Sequence, residues 1–251
     1  MNLSASLLSF ECVIFTQEEL KDLVLNEVPK HIAIIMDGNR RWARLRNKPA
    51  IYGHYQGAHA FDRTITAAVD LGVKIITSYS FSTENWRRSS LEVSGLMRLL
   101  NYYLVSKTEK MKAKGIRFHT IGDLSPLPPQ LKMQIQTTKE VTQFGTKLDL
   151  ILAINYGARD DIRRAAMEAV KHCREGELTE VELGKYLDTA AWPDPELFIR
   201  TGGEKRLSNF LLWQLSYAEL YFTEVMWPEF SPKDFLKAIQ TYQARTRRWG
   251  K

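Results

Sequence analysis

The segment that most constrains the fold of this chain is a short apolar run that ends in a carboxylate, a glycine and two arginines (HIAIIMDGNRRW). Residues Ile32–Met36 are too few for a stable helix and are rich in β-branched side chains, which predicts a strand buried on both faces. Asp37 then lies at the carboxyl end of a parallel strand, where α/β proteins bind ligands. Gly38 lets backbone N–H groups approach a bound group, and Arg40 and Arg41 suit phosphate oxygens.

Turn chemistry offers a second interpretation of the same residues. An Asp-Gly pair between a strand and a helix is typical of an ordinary turn, with the aspartate as a cap and the arginines in solvent. The choice between a turn and a ligand site therefore depends on the residues at the carboxyl ends of the other strands.

Apolar runs and helical patterns alternate along the rest of the chain. Five further strands are predicted, at residues 73–81, 116–121, 148–154, 197–200 and 220–225. The basic segment Arg44–Tyr52, which contains Pro49, is predicted to be a mobile loop before a helix that begins at Gly53. The alternation predicts a single α/β domain with a central, six-stranded, mostly parallel sheet flanked by helices.

The N-terminal region is predicted to be separate from this sheet. Thr16 and Glu19 form a capping box, so residues 1–28 are expected to be a leader with a short helix, and residues 29–251 the main domain. The start lacks a basic leading region, so no cleaved signal is expected. No apolar segment has the length needed to span a bilayer.

The charge of the chain indicates an anionic partner. A net charge of +6 and a pI near 9.2 fit a nucleic acid, phosphorylated metabolites or a membrane surface, and only the clustering of the charges can choose among them. Cys12 and Cys173 match no metal-ligand spacing, which favours a reduced, intracellular protein.

Polar residues suited to phosphate follow several of the predicted strands. The second strand is followed by Ser-Thr-Glu-Asn and Arg88, the fourth by Asn155-Tyr-Gly, and the fifth by Arg200-Thr-Gly-Gly with Arg206 and Ser208. The carboxyl ends of parallel strands meet at one edge of the sheet, so these segments are expected to surround one site. Several arginines with few acids beside them predict a doubly phosphorylated ligand.

Carboxylates near this edge are few, namely Asp37, Glu84, Glu204 and Glu219. This set suits one Mg²⁺ held by one or two protein oxygens together with ligand phosphates and water. Two assignments stay open on the residues alone. Glu219 is equally well a surface residue at a strand edge, and for Asn85 the alternative is turn capping, which is a common role of asparagine.

Missing motifs exclude two other enzyme classes and disfavour two kinds of nucleotide binding. Haloacid-dehalogenase-type phosphatases need a nucleophilic aspartate where this chain has Ile35. Trans-type prenyl synthases need two aspartate-rich motifs, whereas Asp160-Asp161 does not match the motif and has no second copy. No P-loop or Gly-x-Gly-x-x-Gly follows a predicted strand, which disfavours nucleotide binding of those types.

From residue 31 to residue 250 the chain resembles the cis-prenyltransferases of the undecaprenyl diphosphate synthase type. The matching segments, in family order, are His31–Trp42, Gly53-His54-x-x-Gly57, Phe81–Trp86, Asn155–Gly157, Arg200–Glu204 with Arg206, Ser208–Trp213 and Tyr217–Phe222. The set is highly specific, and it identifies residues 29–251 as a catalytic domain with an apolar tunnel.

The resemblance implies a Mg²⁺-dependent enzyme that adds isopentenyl diphosphate units to an allylic diphosphate, such as farnesyl diphosphate. Each addition leaves a Z double bond, and the implied product is a long polyprenyl diphosphate, with undecaprenyl diphosphate for a cell-wall lipid carrier as the natural choice. A cytoplasmic homodimer that works at the membrane surface, without a nucleic-acid partner, is expected.

The resemblance also assigns roles to individual residues. Asp37 binds Mg²⁺ and assists departure of the allylic diphosphate, Asn85 accepts or relays the proton lost from isopentenyl diphosphate, and Glu219 completes the metal site, across the dimer in some members. The allylic diphosphate is bound by Gly38, Asn39, Arg40, Arg41 and His54. The isopentenyl diphosphate is bound by Arg200, Arg206 and Ser208. The remaining substrate-binding residues are Trp42, Ser82, Thr83, Glu84, Trp86 and Arg88.

The chain departs from the family pattern at two positions. Ala50 stands where many members have an arginine, so either Arg46 or Lys48 substitutes for it or the allylic diphosphate binds more weakly. Lys205 replaces a histidine proposed as a metal ligand in some members and is not counted as a site residue. The end of the chain, residues 248–250, resembles the Arg-x-Gly tail that closes over the isopentenyl diphosphate.

Three other functions stay open as alternatives. A non-catalytic relative that supports a partner subunit typically lacks the strand-end aspartate and arginines, which this chain has. A synthase of short or medium-length Z-prenyl chains would share all these motifs. An RNA-binding protein would show basic residues interleaved with exposed aromatic residues, rather than arginines at strand ends.

Overall fold

The structure, a computed structural model, describes residues 14–172 and 178–245. Its centre is one six-stranded sheet in the order β3-β4-β2-β1-β5-β6, in which every neighbouring pair is parallel. The strands are β1 His31–Ile35, β2 Ile75–Ser82, β3 Ile116–Ile121, β4 Leu148–Tyr156, β5 Leu197–Arg200 and β6 Glu219–Phe222. The predicted single α/β domain with a six-stranded sheet is confirmed, and the strand ends differ from the predictions by at most a few residues.

Eight α-helices are present in the described residues. They are α1 Gln17–Leu20, α2 Asn39–Leu45, α3 Ala50–Asp70, α4 Ser90–Ala113, α5 Pro129–Thr142, α6 Ala158–His172, α7 Glu180–Gly184 and α8 Pro232–Gln243. None of the described helices is both long and apolar enough to cross a membrane. The predictions about Cys12, Cys173, the first thirteen residues and the tail at 248–250 lie outside the described residues.

Both faces of the sheet are covered, as the unbroken apolar run of the first strand predicts. All five residues of β1 are buried. Ile32 and Ile34 belong to one hydrophobic cluster, and Ala33 and Ile35 belong to a second cluster. Because alternate residues of a strand point to opposite faces, the two clusters lie on the two sides of the sheet.

The prediction of a mobile loop over Arg44–Tyr52 is wrong. Helix α2 continues to Leu45, and α3 begins at Ala50, three residues before the predicted start at Gly53. Only four residues therefore separate two helices, so the outer wall of the site is built from ordered secondary structure.

The turn between α2 and α3 explains why its composition is misleading. Asn47 adopts a left-handed conformation with φ of 53°. The amide of Lys48 donates a hydrogen bond to the carbonyl of Ala43 at 2.9 Å, and the amide of Asn47 donates to Arg44 at 3.1 Å. This pair of hydrogen bonds is a Schellman motif, a regular way to end a helix. Pro49 then caps α3, so residues that suggest a loop instead form a compact helix–turn–helix.

The position of β1 in the sheet determines where the site forms. β1 lies between β2 and β5, so that Ile35 pairs with Tyr79 on one side and Arg200 on the other. The next strand along the chain, β2, lies on one side of β1, whereas β5, which comes much later in the sequence, lies on the other side. Such a switch point opens a crevice outside the carboxyl ends of the strands.

His31 is expected to make the stability of the protein depend on pH. It is 1% exposed, its Nδ1 lies 2.6 Å from the carbonyl oxygen of Pro193, and its Nε2 lies 2.8 Å from the hydroxyl of Thr77. Burial lowers the pKa of His31 from 6.5 to about 4. The unfolded chain therefore binds a proton between these values that the folded chain does not. We expect the free energy of unfolding to fall by ~2 kcal/mol between pH 7 and pH 5 on account of this histidine.

Urea unfolding of the wild type and of His31→Gln at pH 7, 6 and 5 tests this expectation. The variant should lose less stability than the wild type as the pH falls, even if it is less stable throughout. Equal slopes for the two proteins would show that His31 does not carry the effect.

Candidate active site

The carboxyl ends of β1 and β2 open into a cavity of about 640 Å³ that extends between the sheet and helices α3 and α4. Its polar lining residues are Asp37, Asn39, His54, Ser80, Ser82, Glu84, Asn85, Arg88, Arg200, Ser208 and Asn209. Its apolar lining residues are Ile35, Met36, Ala58, Phe61, Tyr79, Phe81, Leu96, Met97, Leu99, Leu100, Tyr103, Leu152 and Trp227. We call this space the tunnel.

The apolar part of the tunnel matches the tunnel expected from the sequence. The rings of Phe61 on α3 and Tyr103 on α4 meet edge to face with centroids 5.7 Å apart. The indole of Trp227 lies 6.5 Å from the Phe61 ring and donates a hydrogen bond to the carbonyl of Gly57 at 2.9 Å. An apolar, largely preformed cavity of this kind favours a hydrocarbon ligand.

A second, basic cavity of about 670 Å³ adjoins the tunnel, and we call it the outer cavity. It is lined by Met36, Asp37, Gly38, Asn39, Arg40, Arg41, Arg44, Asn47, Lys48, Ala50, His54 and Arg88. Five of these side chains are cationic. The two cavities share Met36, Asp37, Asn39, His54 and Arg88, so a ligand at the junction contacts both.

Asp37 lies at this junction and is held from both sides. Its Oδ1 accepts a hydrogen bond from the amide of Gly38 at 2.7 Å, and its Oδ2 accepts one from Arg200 Nη2 at 2.9 Å. The hydroxyl of Thr201 and the amide of Trp227 donate to the Asp37 carbonyl at 2.8 and 2.9 Å. The side chain is still 36% exposed, so it can bind a further group.

The glycine after Asp37 has a backbone that other residues rarely adopt. Gly38 has φ of 106°, and an added Cβ would lie 2.9 Å from the Cβ of Met226. Glycine is therefore required both by conformation and by space.

Arg200 is the buried cation of the site, with only 4% of its side chain exposed. Besides Asp37, it donates to the hydroxyl of Ser208 at 2.8 Å and to the carbonyl of Arg206. Its Nε is buried without a hydrogen-bond partner. A buried charge with an unused donor beside a cavity is well suited to an anionic ligand.

The other four arginines predicted as site residues are each paired with a carboxylate, contrary to the expectation that acids are scarce beside them. Glu92 on α4 lies 2.9 Å from Arg88 and 3.7 Å from Arg40. Glu204 lies 3.4 Å from Arg41 and 2.5 Å from Arg206. Sequence reasoning missed Glu92 as a site residue, although it lies only four residues after Arg88, in the first turn of α4.

The end of β2 presents Asn85 to the tunnel on a short 3-10 turn, Thr83–Arg87. Its side-chain oxygen accepts a hydrogen bond from the backbone amide of Ser82 at 3.4 Å, so Asn85 does cap the turn. The side-chain nitrogen of Asn85 takes no part in this hydrogen bond and can contact a ligand. Burial raises the pKa of Glu84, but hydrogen bonds, led by the one from Asn209, lower it overall.

Two polar atoms at the junction are buried without a partner in the described residues, namely Asn39 Oδ1 and His54 Nε2. Burial, assisted by the nearby Arg88, lowers the pKa of His54 to about 4. His54 is therefore neutral at neutral pH and can offer an N–H to a ligand without a net charge.

The lack of a side chain at Gly57 leaves the space that Asn39 occupies, and a larger residue there should destabilise the protein. An added Cβ would clash with Asn39 Oδ1 and lie 2.9 Å from Cδ1 of Trp227. We expect Gly57→Ala to lower the free energy of unfolding by roughly 1–3 kcal/mol because neither group can move freely. Gly184→Ala is the control, since no atom lies within 4 Å of its added Cβ. Thermal denaturation that ranks the two variants equal would contradict the steric account.

Five predicted site residues line neither cavity: Trp42, Thr83, Trp86, Arg206 and Glu219. The Trp86 indole donates to the side chain of Asn155 at 2.8 Å, next to the tunnel wall. Arg206 lies beside the mouth of the site through its pair with Glu204.

Trp42 and Glu219 have their polar groups paired with residues that line neither cavity. The Trp42 indole donates to Glu229 at 2.9 Å, and the guanidinium of Arg46 covers its ring at 4.3 Å. Glu219 is the first residue of β6 and pairs with Leu197, at the strand end opposite the site, where Arg245 binds it at 2.6 Å. The structure therefore does not bring Glu219 to Asp37 within one chain.

Comparison with known proteins identifies the family of this chain. A family model described as "Putative undecaprenyl diphosphate synthase" matches residues 35–250. An isoprenyl transferase of Chlamydia trachomatis is 48% identical over 235 residues, which cover 90% of this chain and 93% of the relative. A ditrans,polycis-undecaprenyl-diphosphate synthase of Micrococcus luteus, named as specific for (2E,6E)-farnesyl diphosphate, is 44% identical over 229 residues, with 89% and 92% covered.

A solved structure shares the whole fold. Lavandulyl diphosphate synthase from Lavandula x intermedia, in complex with dimethylallyl diphosphate, superposes with a TM-score of 0.87 and is 37% identical, covering 90% of this chain and 100% of the other. The family match, the relatives and the shared fold agree with one another. The chain therefore belongs to the undecaprenyl diphosphate synthase family and is a prenyltransferase.

Proposed function

We propose that this enzyme adds isopentenyl diphosphate units to farnesyl diphosphate and releases a long-chain Z-polyprenyl diphosphate. The observation that carries the proposal is the union of an apolar tunnel with a cationic outer cavity, joined at one carboxylate. Such a shape fits a ligand that is a hydrocarbon at one end and a diphosphate at the other.

The residues at the junction fit a Mg²⁺ ion that is held partly by its substrate. No group of three or more carboxylate, histidine or cysteine side chains suited to a metal occurs in the described residues. Asp37 is exposed to both cavities, and Mg²⁺ commonly uses one or two carboxylates together with phosphates and water. When bound there, Mg²⁺ stabilises negative charge that grows on the departing diphosphate.

The allylic diphosphate is assigned to the outer cavity, where Gly38, Asn39, Arg40, Arg41 and His54 bind it. Arg40 and Arg41 exchange their carboxylate partners for phosphate oxygens. An arginine can bind phosphate through two parallel hydrogen bonds, which suits it to this ligand. His54 and Asn39 use the side-chain atoms that are otherwise unpartnered. The arginines are in place before the reaction, so they stabilise the leaving group without further rearrangement.

Isopentenyl diphosphate is assigned to Arg200, Arg206 and Ser208. The allylic carbon–oxygen bond breaks, a carbon–carbon bond forms to the alkene of isopentenyl diphosphate, and one proton leaves the new chain. Asn85 lies at the tunnel wall and relays that proton to the released diphosphate, which leaves with it. The surrounding residues Ser82, Thr83, Glu84, Trp86 and Arg88 shape the space between the substrates, and Trp42 supports α2 from outside.

A metal role for Glu219 requires a second copy of the chain. Because Glu219 lies at the strand end opposite Asp37, it would act only across a homodimer. We therefore propose a homodimer in which Glu219 serves its partner's site.

The long lipid product suggests a place of work at the cytoplasmic face of the membrane, with contact through the product. Undecaprenyl diphosphate for cell-wall lipid carrier synthesis is the proposed product, in line with the name of the Micrococcus luteus relative. A product with a shorter Z-prenyl chain is the first alternative.

Incubation with farnesyl diphosphate, isotopically labelled isopentenyl diphosphate and Mg²⁺ tests the function. Mass spectrometry should show products longer by whole five-carbon units, and NMR should show Z geometry at each new double bond. A chelator should stop the reaction, and added Mg²⁺ should restore it. No transfer in any condition would favour a non-catalytic partner subunit, and only short products would support the first alternative.

A further inference from the structure

The five cations of the outer cavity fall into two groups. Arg88 and Arg40 share Glu92, and Arg41 is paired with Glu204. Over residues 14–172 and 178–245, neither of the other two cations, Arg44 and Lys48, has an ion-pair partner. The ammonium group of Lys48 lies 5.9 Å from the centroid of the Tyr52 ring. The ring is uncharged, so this contact does not neutralise the positive charge.

These two cations, like Arg40 and Arg41, line the outer cavity and not the tunnel. Asp37, Asn39, His54 and Arg88 line both cavities, whereas Arg44 and Lys48 line only the outer one. A ligand whose hydrocarbon lies in the tunnel must therefore pass the junction before any part of it reaches them.

The backbone between the two helices fixes where both side chains start. The Schellman motif at Asn47 ties the amide of Lys48 to the carbonyl of Ala43, in the last turn of α2. Arg44 belongs to that same turn, so both cations project from one ordered corner. Two uncompensated positive charges held at one concave corner favour a group with more than one negative charge.

Arg46 lies between them in sequence but is excluded from this role. Its guanidinium lies 2.5 Å from Glu229 and over the Trp42 ring, and it does not line the cavity. Ala50, which does line the cavity, has no charge to offer.

We propose that Arg44 and Lys48 bind the distal phosphate of the allylic diphosphate, while the phosphate attached to the hydrocarbon lies at Asp37. This inference rests on the proposed function, because it places the hydrocarbon in the tunnel. It gives the two residues a specific task, which is to distinguish a diphosphate from a monophosphate on the same chain.

Calorimetric binding of farnesyl diphosphate and farnesyl monophosphate, each with Mg²⁺ and without isopentenyl diphosphate, tests the assignment. The double variant Arg44→Gln/Lys48→Gln should bind the diphosphate about tenfold more weakly and the monophosphate with unchanged Kd. Arg46→Gln is the matched control, since it removes one positive charge from the same turn, and it should change neither Kd.

Three results would overturn the inference. They are an unchanged preference for the diphosphate in the double variant, an equal loss for both ligands, and the same loss in Arg46→Gln. Prenyl transfer by the wild type is measured separately. Its absence contradicts the proposed function, whereas unchanged preference in an active double variant contradicts this inference alone.

Discussion

Asp37→Asn is expected to lower kcat by at least about 1,000-fold while the protein stays folded. Asparagine has nearly the same shape and keeps an oxygen for the hydrogen bond from the Gly38 amide. It lacks the negative charge that attracts Mg²⁺ and balances Arg200. The loss should appear in turnover because the charge acts on the departing diphosphate.

Steady-state turnover with saturating substrates measures the effect, and circular dichroism confirms the fold. Asp62→Asn is the control, because Asp62 is also partly buried and ion-paired, 2.9 Å from Lys110, but lines neither cavity. Near-normal turnover of Asp37→Asn with Mg²⁺ would refute the metal role of Asp37.

Arg200→Ala is expected to raise the KM for isopentenyl diphosphate about 100-fold, more than the KM for farnesyl diphosphate. The guanidinium is buried and links Asp37 to Ser208, so its removal takes away the ligand contact and leaves a carboxylate unpaired. Truncation of one partner of a buried charge pair costs about 2–5 kcal/mol, which corresponds to this change.

Arg200→Lys keeps the positive charge but lacks the planar guanidinium group with its paired donors. This variant tests the same prediction if Arg200→Ala does not fold. We expect a smaller rise, about tenfold, in the same constant. Initial rates with each substrate varied in turn separate the two constants. A rise confined to farnesyl diphosphate would mean that the two diphosphate sites are assigned the wrong way round.

Much of the fold follows from local patterns in the sequence. The bounds of β3 and β5 match the predictions: Gly115 and Gly122 flank the partly alternating β3, and β5 is a short, buried run that begins after Pro195 and ends before Gly202. β1 is buried along its whole length, as its unbroken apolar run predicts. The sheet edge that gathers Asp37 and Arg200 follows from the parallel order alone.

Other features depend on contacts between distant residues and could not be predicted. The pair between Arg40 and Glu92 joins helices that are far apart in sequence, so the acid partner is invisible to a search near the arginine. The turn at Asn47 has the composition of a loop, yet its backbone hydrogen bonds form a regular helix end. The next helix begins three residues later. Glu219 is a different case: it directly precedes the predicted strand 220–225, so the parallel order already indicated the strand end opposite the site, where the structure places it.

A crystal structure with Mg²⁺ and a slowly reacting allylic substrate, farnesyl thiodiphosphate, tests the central claim most directly. The account predicts the farnesyl chain in the tunnel against Phe61 and Leu100, the diphosphate in the outer cavity, and the metal between that diphosphate and Asp37. A farnesyl chain bound outside the tunnel, or a diphosphate away from Asp37, would contradict it.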